Sequence, residues 1–261
     1  MIEFLLIGLA AGFAAGFLGI GGGMVIVPGL IWLFSRDSAT ASQASHLAVA
    51  TSMATMLATS LSSIVAHHRR GAVRWDLFKK LAPGLGLGAA LGAALADQLS
   101  SPQLTRVFAL FALLAGIQLI LGRSSERQRP WPGPARTGLI GGAIGAISSL
   151  VGIGGGSMTG PWCMWHGLRA QHAVATAAAC GYPIALVATA SYLWLGPGET
   201  TGGGAVLGYV HLPALAGIAV AGVAAAPLGA WAVHKTPPQR VRQVFGGLLL
   251  LVGARLLLAG A

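Results

Sequence analysis

Gly16-Phe-Leu-Gly-Ile-Gly-Gly-Gly-Met-Val-Ile-Val-Pro28 stands near the start of the chain, and its centre returns later as Gly152-Ile-Gly-Gly-Gly156 followed by Pro161. Both matches fall at one offset, 133 residues (152 − 19 and 161 − 28). Three adjacent glycines weaken a helix by roughly 1 kcal/mol each. Yet both clusters lie inside long stretches without acid, Lys or Arg, from Glu3 to Arg36 and from Arg136 to Arg169. Further stretches of this kind run from Asp37 to Arg69, Arg169 to Glu199 and Glu199 to Lys235. Each exceeds the roughly 20 residues a bilayer-spanning helix needs. The fold class that follows is an all-α polytopic membrane protein with helices broken at the paired glycine-rich motifs.

Composition agrees. Of 261 residues, 55% are apolar and only 8% charged, where a soluble domain carries about a quarter charged. Such a chain cannot clothe a water-facing surface, which excludes a soluble enzyme. The net charge of +10 would suggest nucleic acid, but the basic residues flank apolar spans, where they act as orientation signals. The partners expected are the lipid bilayer and a small anion, with no nucleic acid, and a homo-oligomer remains open. Cys163 and Cys180 lie in apolar surroundings and read as packing residues. The opening Met1-Ile2-Glu3 lacks the basic start of a signal peptide.

Hydrophobic patterning predicts helices near 3–18, 24–35, 42–66, 77–97, 104–122, 136–151, 157–168, 171–195, 210–233 and 241–259. The short pieces 24–35 and 157–168 each follow a glycine cluster and read as halves of broken helices. Residues 123–135 form a polar linker between a first transmembrane repeat, 1–122, and a second, 136–261. Other matches keep the same order: Ala48-Val-Ala-Thr51 with Ala173-Val-Ala-Thr176, and Leu91-Gly-Ala93 with Leu228-Gly-Ala230. Loop 67–80 carries five basic residues and its partner 196–209 none, whereas loop 234–242 is more basic than 97–106. A bias that reverses between halves predicts inverted repeats, with both termini on the outer side. Eight spans with parallel halves is the other topology the sequence allows.

Gly19–Gly23 lacks the Lys-Ser/Thr ending and the βαβ setting of a phosphate-binding loop. A break at membrane depth must line a cavity or be enclosed by protein. The helical half that follows offers unpaired amides and a positive dipole end, which suits an anion. Two clusters can face one central ligand. Candidate substrate-binding residues are therefore Gly19, Gly21, Gly22, Gly23, Gly152, Gly154, Gly155, Gly156 and Ser157, with the adjoining hydroxyls of Thr51, Ser52 and Thr176. Thr55 and Thr59 share a face with Thr51 and read as residues bonding their own helix. Gly8, Gly12, Gly16 and Gly84, Gly88, Gly92, each spaced by four, read as helix-packing positions. His46, His172 and Tyr182 are further candidates, each able to bind an anion or, for the histidines, carry a proton.

The stretch Gly16–Pro28 resembles the signature of the TauE/SafE family of sulfite and organosulfonate transporters. Ala50-Thr-Ser52 and Arg69-Arg-Gly-Ala-Val-Arg-Trp75 add to the likeness, and the second cluster sits where that family's second half repeats the first. The resemblance covers nearly the whole chain and implies a multi-pass permease of the bacterial cytoplasmic membrane for small sulfur oxyanions or sulfonates. The second half departs from the pattern, with Ala177 after Thr176 where the first half has Ser52.

All six acids, Glu3, Asp37, Asp76, Asp97, Glu126 and Glu199, fall in loops or at helix ends. The buried carboxylate that coupled carriers often use is missing. The sequence thus predicts an exporter working by alternating access at a midplane site, with no cofactor and no metal. An anion channel or a non-transporting membrane scaffold is the alternative. An intramembrane enzyme built on Ser157 finds no acid to orient a histidine.

Overall fold

The computed structural model describes residues 1–18, 22–121, 130–197, 205–233 and 238–259. It is built of helices. The first half holds α1 (Ile2–Leu18), α2 (Gly23–Phe34), α3 (Ala44–Arg69), α4 (Trp75–Asp97) and α5 (Ser101–Leu121). The second holds α6 (Pro134–Val151), α7 (Gly156–Trp165), α8 (Ala170–Leu195), α9 (Leu212–Val233) and α10 (Pro238–Ala259). A two-stranded antiparallel ribbon, β1 (Val206–Leu207) and β2 (Val210–His211), leads into α9. Three segments, Ala41–Arg69, Ser101–Leu121 and Ala170–Leu195, are long and apolar enough to cross a membrane. The outward face is apolar: Leu87, Leu91, Leu114, Leu139, Trp194 and Val244 are all exposed, as expected where the solvent is lipid.

The short helices do not continue the ones before them. At the first glycine cluster the chain reverses, and α2 runs back along α1. Gly22 lies against Ala11 and Gly29 against Ile7, while the rings of Phe4 and Phe34 approach to 6.3 Å. The second cluster does the same. Trp131, just before α6, meets Trp162 and His166 at the end of α7, with centroids 5.6 and 5.0 Å apart. The broken helices expected from the sequence are therefore helical hairpins. Consecutive glycines weaken both helix directions equally, and apolar periodicity carries no sign that tells continuation from reversal.

Helices pair across the halves. α1 packs on α9 and α4 on α6, while α3 faces α8 and α5 faces α10. The glycines spaced by four make the close pairs. A Cβ on Gly8 would stand 2.8 Å from the Ile218 backbone, and one on Gly12 would overlap Gly222. Gly84 and Gly88 press likewise on Gly138 and Gly142, and Gly92 on Ala146. Small residues let backbones approach where no hydrophobic force drives helices together. Polar staples fix the rest: Ser45 Oγ donates to Ser101 O at 2.9 Å and lies 2.6 Å from Thr105 Oγ1.

These contacts define two ends. Phe34, His46, Ala96, Ser101 and Tyr209 gather at one, and Ala72, Arg74, Trp131, Trp162 and His172 at the other. The second end carries Arg69, Arg70, Arg74, Lys79, Lys80, Arg136 and Arg169. Near the first stand Arg36, Arg106 and Arg255, with Glu3, Asp37 and Asp97.

Candidate functional site at the two glycine tips

The hairpins meet at their tips. α6 ends on Gly152, whose φ of +76° is the left-handed conformation that glycine adopts without strain. Ile153 N donates to Ser148 O at 3.0 Å and Gly152 N to Ser149 O at 3.4 Å, the Schellman pattern that satisfies a helix C-terminus. The chain then turns through Ile153–Gly155 into α7. Gly152 O accepts a hydrogen bond from Ser52 Oγ at 2.8 Å. A Cβ on Gly23, at the start of α2, would stand 2.6 Å from that carbonyl and 3.2 Å from Ser52 Oγ. A Cβ on Gly152 would meet Val27 at 2.7 Å and the Val49 backbone at 3.1 Å. Both positions exclude any side chain, so the first and second clusters touch through backbone.

The start of α2 thus packs against the turn that joins α6 to α7. In α7 the first amides to bond backwards are Ser157 N to Gly154 O at 3.4 Å, then Met158 N and Thr159 N to Gly155 O at 3.2 and 2.8 Å. In α2 they are Val25 N and Ile26 N, both to Gly22 O at 2.9 Å. Among the described residues the amides of Gly154, Gly155 and Gly156 bond to no acceptor. Pro28 and Pro161 lie inside α2 and α7 and withhold the amides that would bond the Met24 and Ser157 carbonyls. Neutral donors at two positive helix ends, without a charged side chain beside them, favour a small anion.

The sequence-predicted hydroxyls divide. Ser52 is fully buried and joins the tips directly. Thr51 and Thr176 bind the halves together instead: His211 N donates to Thr51 Oγ1 at 3.0 Å, and Arg74 N donates to Thr176 Oγ1 at 3.1 Å. Each threonine of the repeated Ala-Val-Ala-Thr thereby holds the residue that precedes a helix of the other half, α9 or α4. Thr55 and Thr59 bond back to Thr51 O and Thr55 O at 2.8 and 3.4 Å, within their own helix. Ser157 Oγ lies 3.4 Å from Gly154 O.

His46 and His172 sit at opposite ends of the molecule. The first bonds Ala96 O at 3.0 Å and stacks on Tyr209, and the second bonds Ala72 O at 2.9 Å. Tyr182 is half-buried in α8, which continues through Pro183. Gly19 and Gly21 lie outside the described residues.

Several polar residues were missed. Ser149 Oγ donates to Ala89 O and Tyr192 Oη to Ser149 O, at 2.8 and 2.9 Å. The hydroxyls of Ser148 and Thr159 are fully buried without a partner among the described residues. Ser148, Ser149 and Thr159 flank the second cluster, so extending the repeat by a turn on each side would have found them, whereas Tyr192 lies in α8, far from the cluster in sequence. His211 was missed too. It lies in β2 between Phe4 and Phe34, and its Nδ1 accepts from Ala214 N at 3.2 Å, capping α9. Burial holds its imidazole below the ordinary range. At the other end Arg74, raised by its hydrogen bond to Asp76, pairs with that carboxylate at 2.8 Å.

A crevice of about 720 Å³ runs along α2 between α5 and α10, with Arg36, Arg255 and Met24, next to Gly23, among its lining residues. Arg36 stacks on Trp32, 3.7 Å from the ring centroid.

The family model for sulfite exporter TauE/SafE matches residues 4–256, through both tips and from α1 into α10. The chain belongs to the TauE/SafE family. Among TauE/SafE relatives, a probable membrane transporter protein of Haemophilus influenzae is 31% identical over 255 residues, covering 97% of each chain. The probable membrane transporter protein YtnM of Bacillus subtilis is 29% identical over 268 residues, covering 99% of this chain and 83% of its own. No solved structure matches this TauE/SafE chain. Its relatives are named as membrane transporters, and with its apolar helices it is a multi-pass membrane protein of that kind.

Proposed function

We propose that the protein is a secondary transporter that exports a small sulfur-containing anion, sulfite or an organosulfonate, across the bacterial cytoplasmic membrane. The observation that carries this reading is the contact of Gly23 with Gly152, which sets the start of α2 against the turn that leads into α7 inside the protein. Interrupted helices at corresponding places of two halves are a pointer to such a site. The amides of Gly22, Gly23 and Gly154–Gly156 would hold the anion, with Ser52 fixing the tips and Thr51 and Thr176 fixing the helices around them. The crevice along α2 is the route to one face, where Arg36 and Arg255 raise the local anion concentration.

The halves 1–122 and 136–261 act as inverted repeats. Exchanging them turns the α1–α9 pair into α6–α4, leaves α3–α8 and α5–α10 in place, and maps one hairpin on the other from the opposite end. The crowded basic end faces the cytoplasm by the positive-inside rule. Rocking of the halves about the tips opens the site to each face in turn. Glycine contacts suit such motion, because backbone surfaces can shift without side chains unlocking.

Export follows from charge. Of the acids with a described position, Glu3, Asp37, Asp76 and Asp97 all lie at helix ends or in loops, so no mid-span carboxylate couples uptake to a cation. An anion leaving a negative interior gains about 2.3 kcal/mol per charge per 100 mV. In proteoliposomes loaded with labelled sulfite or methanesulfonate, an inside-negative potential should accelerate efflux. Efflux that ignored the potential and followed an imposed proton gradient would overturn this reading.

A further inference from the structure

The two tips are unequal in a way the repeat makes plain. Ser148 closes α6 and Thr159 belongs to the first turn of α7. Both hydroxyls are fully buried, and neither has a partner among the described residues. At the 133-residue offset their counterparts in the first hairpin are Ala15 and Ile26. Thr159 Oγ1 faces Gly155, 3.5 Å from where a Cβ would stand there, beside the free amides of Gly154–Gly156. Ser148 O receives the amide that closes the turn. Apolar groups complete the surroundings: the Met56 methyl lies against Gly154 and the Ile184 methyl against Gly155.

A buried hydroxyl without a partner is unfavourable, and native proteins rarely leave one so. Two of them, on either side of one turn that also presents free amides, have the character of a donor set whose acceptor arrives with the ligand. We infer that the anion's oxygens are held off-centre, against the second hairpin, by Ser148 Oγ, Thr159 Oγ1 and the amides of Gly154–Gly156. The ligand class is then a small oxyanion able to accept several hydrogen bonds on one side. This inference rests on the transporter reading and assigns that site its polarity.

Purified full-length protein in lipid nanodiscs is titrated calorimetrically with ethanesulfonate and with sulfite, comparing wild type with S148A, T159V and the first-hairpin variant I26V. Wild type should bind both anions. S148A and T159V should each weaken ethanesulfonate about 10- to 100-fold, as expected for a hydrogen bond to a charged group, and I26V should change it little. Without ligand, T159V should melt at the wild-type temperature or roughly 2–4 °C above it, because it removes an unsatisfied buried hydroxyl. Unchanged affinity in S148A and T159V, or a drop in melting temperature of T159V, would each overturn the inference and leave the transporter reading standing. Failure of wild type to bind either anion would overturn both.

Discussion

Replacing Gly152 with Ala tests whether the tip needs glycine for two separate reasons. The residue has φ +76°, where a Cβ costs about 1–2 kcal/mol in backbone strain. That Cβ would also stand 2.7 Å from Val27 and 3.1 Å from the Val49 backbone. Val49 sits inside α3 and cannot yield, so an overpacking term of about 1–3 kcal/mol adds to the first. The sum is about 2–5 kcal/mol. Gly71 is the matched control: its φ is +64° and a Cβ there meets nothing within 4 Å, leaving only the backbone term of about 1–2 kcal/mol. Thermal unfolding of detergent-purified protein, followed by fluorescence of its seven tryptophans, reads the difference. At roughly 2–4 °C per kcal/mol, Gly152→Ala should melt well below Gly71→Ala, and Gly71→Ala modestly below wild type. Equal melting of the two variants would refute the close contact between the tips.

Acidification should destabilise the protein through His211. Its folded pKa is lowered by burial, so the unfolded chain takes up the proton first, near pH 6.5. Stability present above that pH is therefore lost as pH falls through the folded value, and His211→Asn, which can still cap α9, should flatten a plot of melting temperature against pH between 5 and 7. The double variant Arg36→Gln with Arg255→Gln should slow anion flux at low salt and approach wild type at high salt, where screening removes the steering; a salt-independent defect would argue against the crevice as a route. Single cysteines placed at 126 and 202 should label from opposite faces of the membrane, read with a membrane-impermeant maleimide. The native Cys163 and Cys180 are buried and should contribute little background, and labelling of both sites from one face would contradict the inverted topology.

Much of this was legible in the sequence. Helix positions followed from uncharged runs punctuated by loops, because lipid demands long apolar segments and tolerates few exceptions. The glycines spaced by four at Gly8, Gly12, Gly84, Gly88 and Gly92 could be assigned to packing, since small-residue spacing at helical period is a local signal. Reversal at the tips was not legible: direction depends on the turn at Gly152 and on contacts between Phe4 and Phe34 far apart in the chain. The Thr51 and Thr176 hydroxyls illustrate the same limit. Their place in a repeat marked them as special, but their partners, His211 N and Arg74 N, come from the opposite half, 160 and 102 residues away. Ser148 and Thr159 stayed hidden because a serine or threonine in a membrane helix ordinarily bonds its own backbone, and only the structure distinguishes those that do not.

The central claim, a carrier whose anion sits between the two tips, is tested most directly by counterflow. Proteoliposomes preloaded with unlabelled ethanesulfonate are diluted into trace labelled ethanesulfonate at zero membrane potential. Wild type should transiently accumulate label above its equilibrium level, in a saturable way, and Gly155→Leu, inserted and folded, should not. Uptake that only approached equilibrium, or undiminished counterflow in Gly155→Leu, would contradict alternating access at this site.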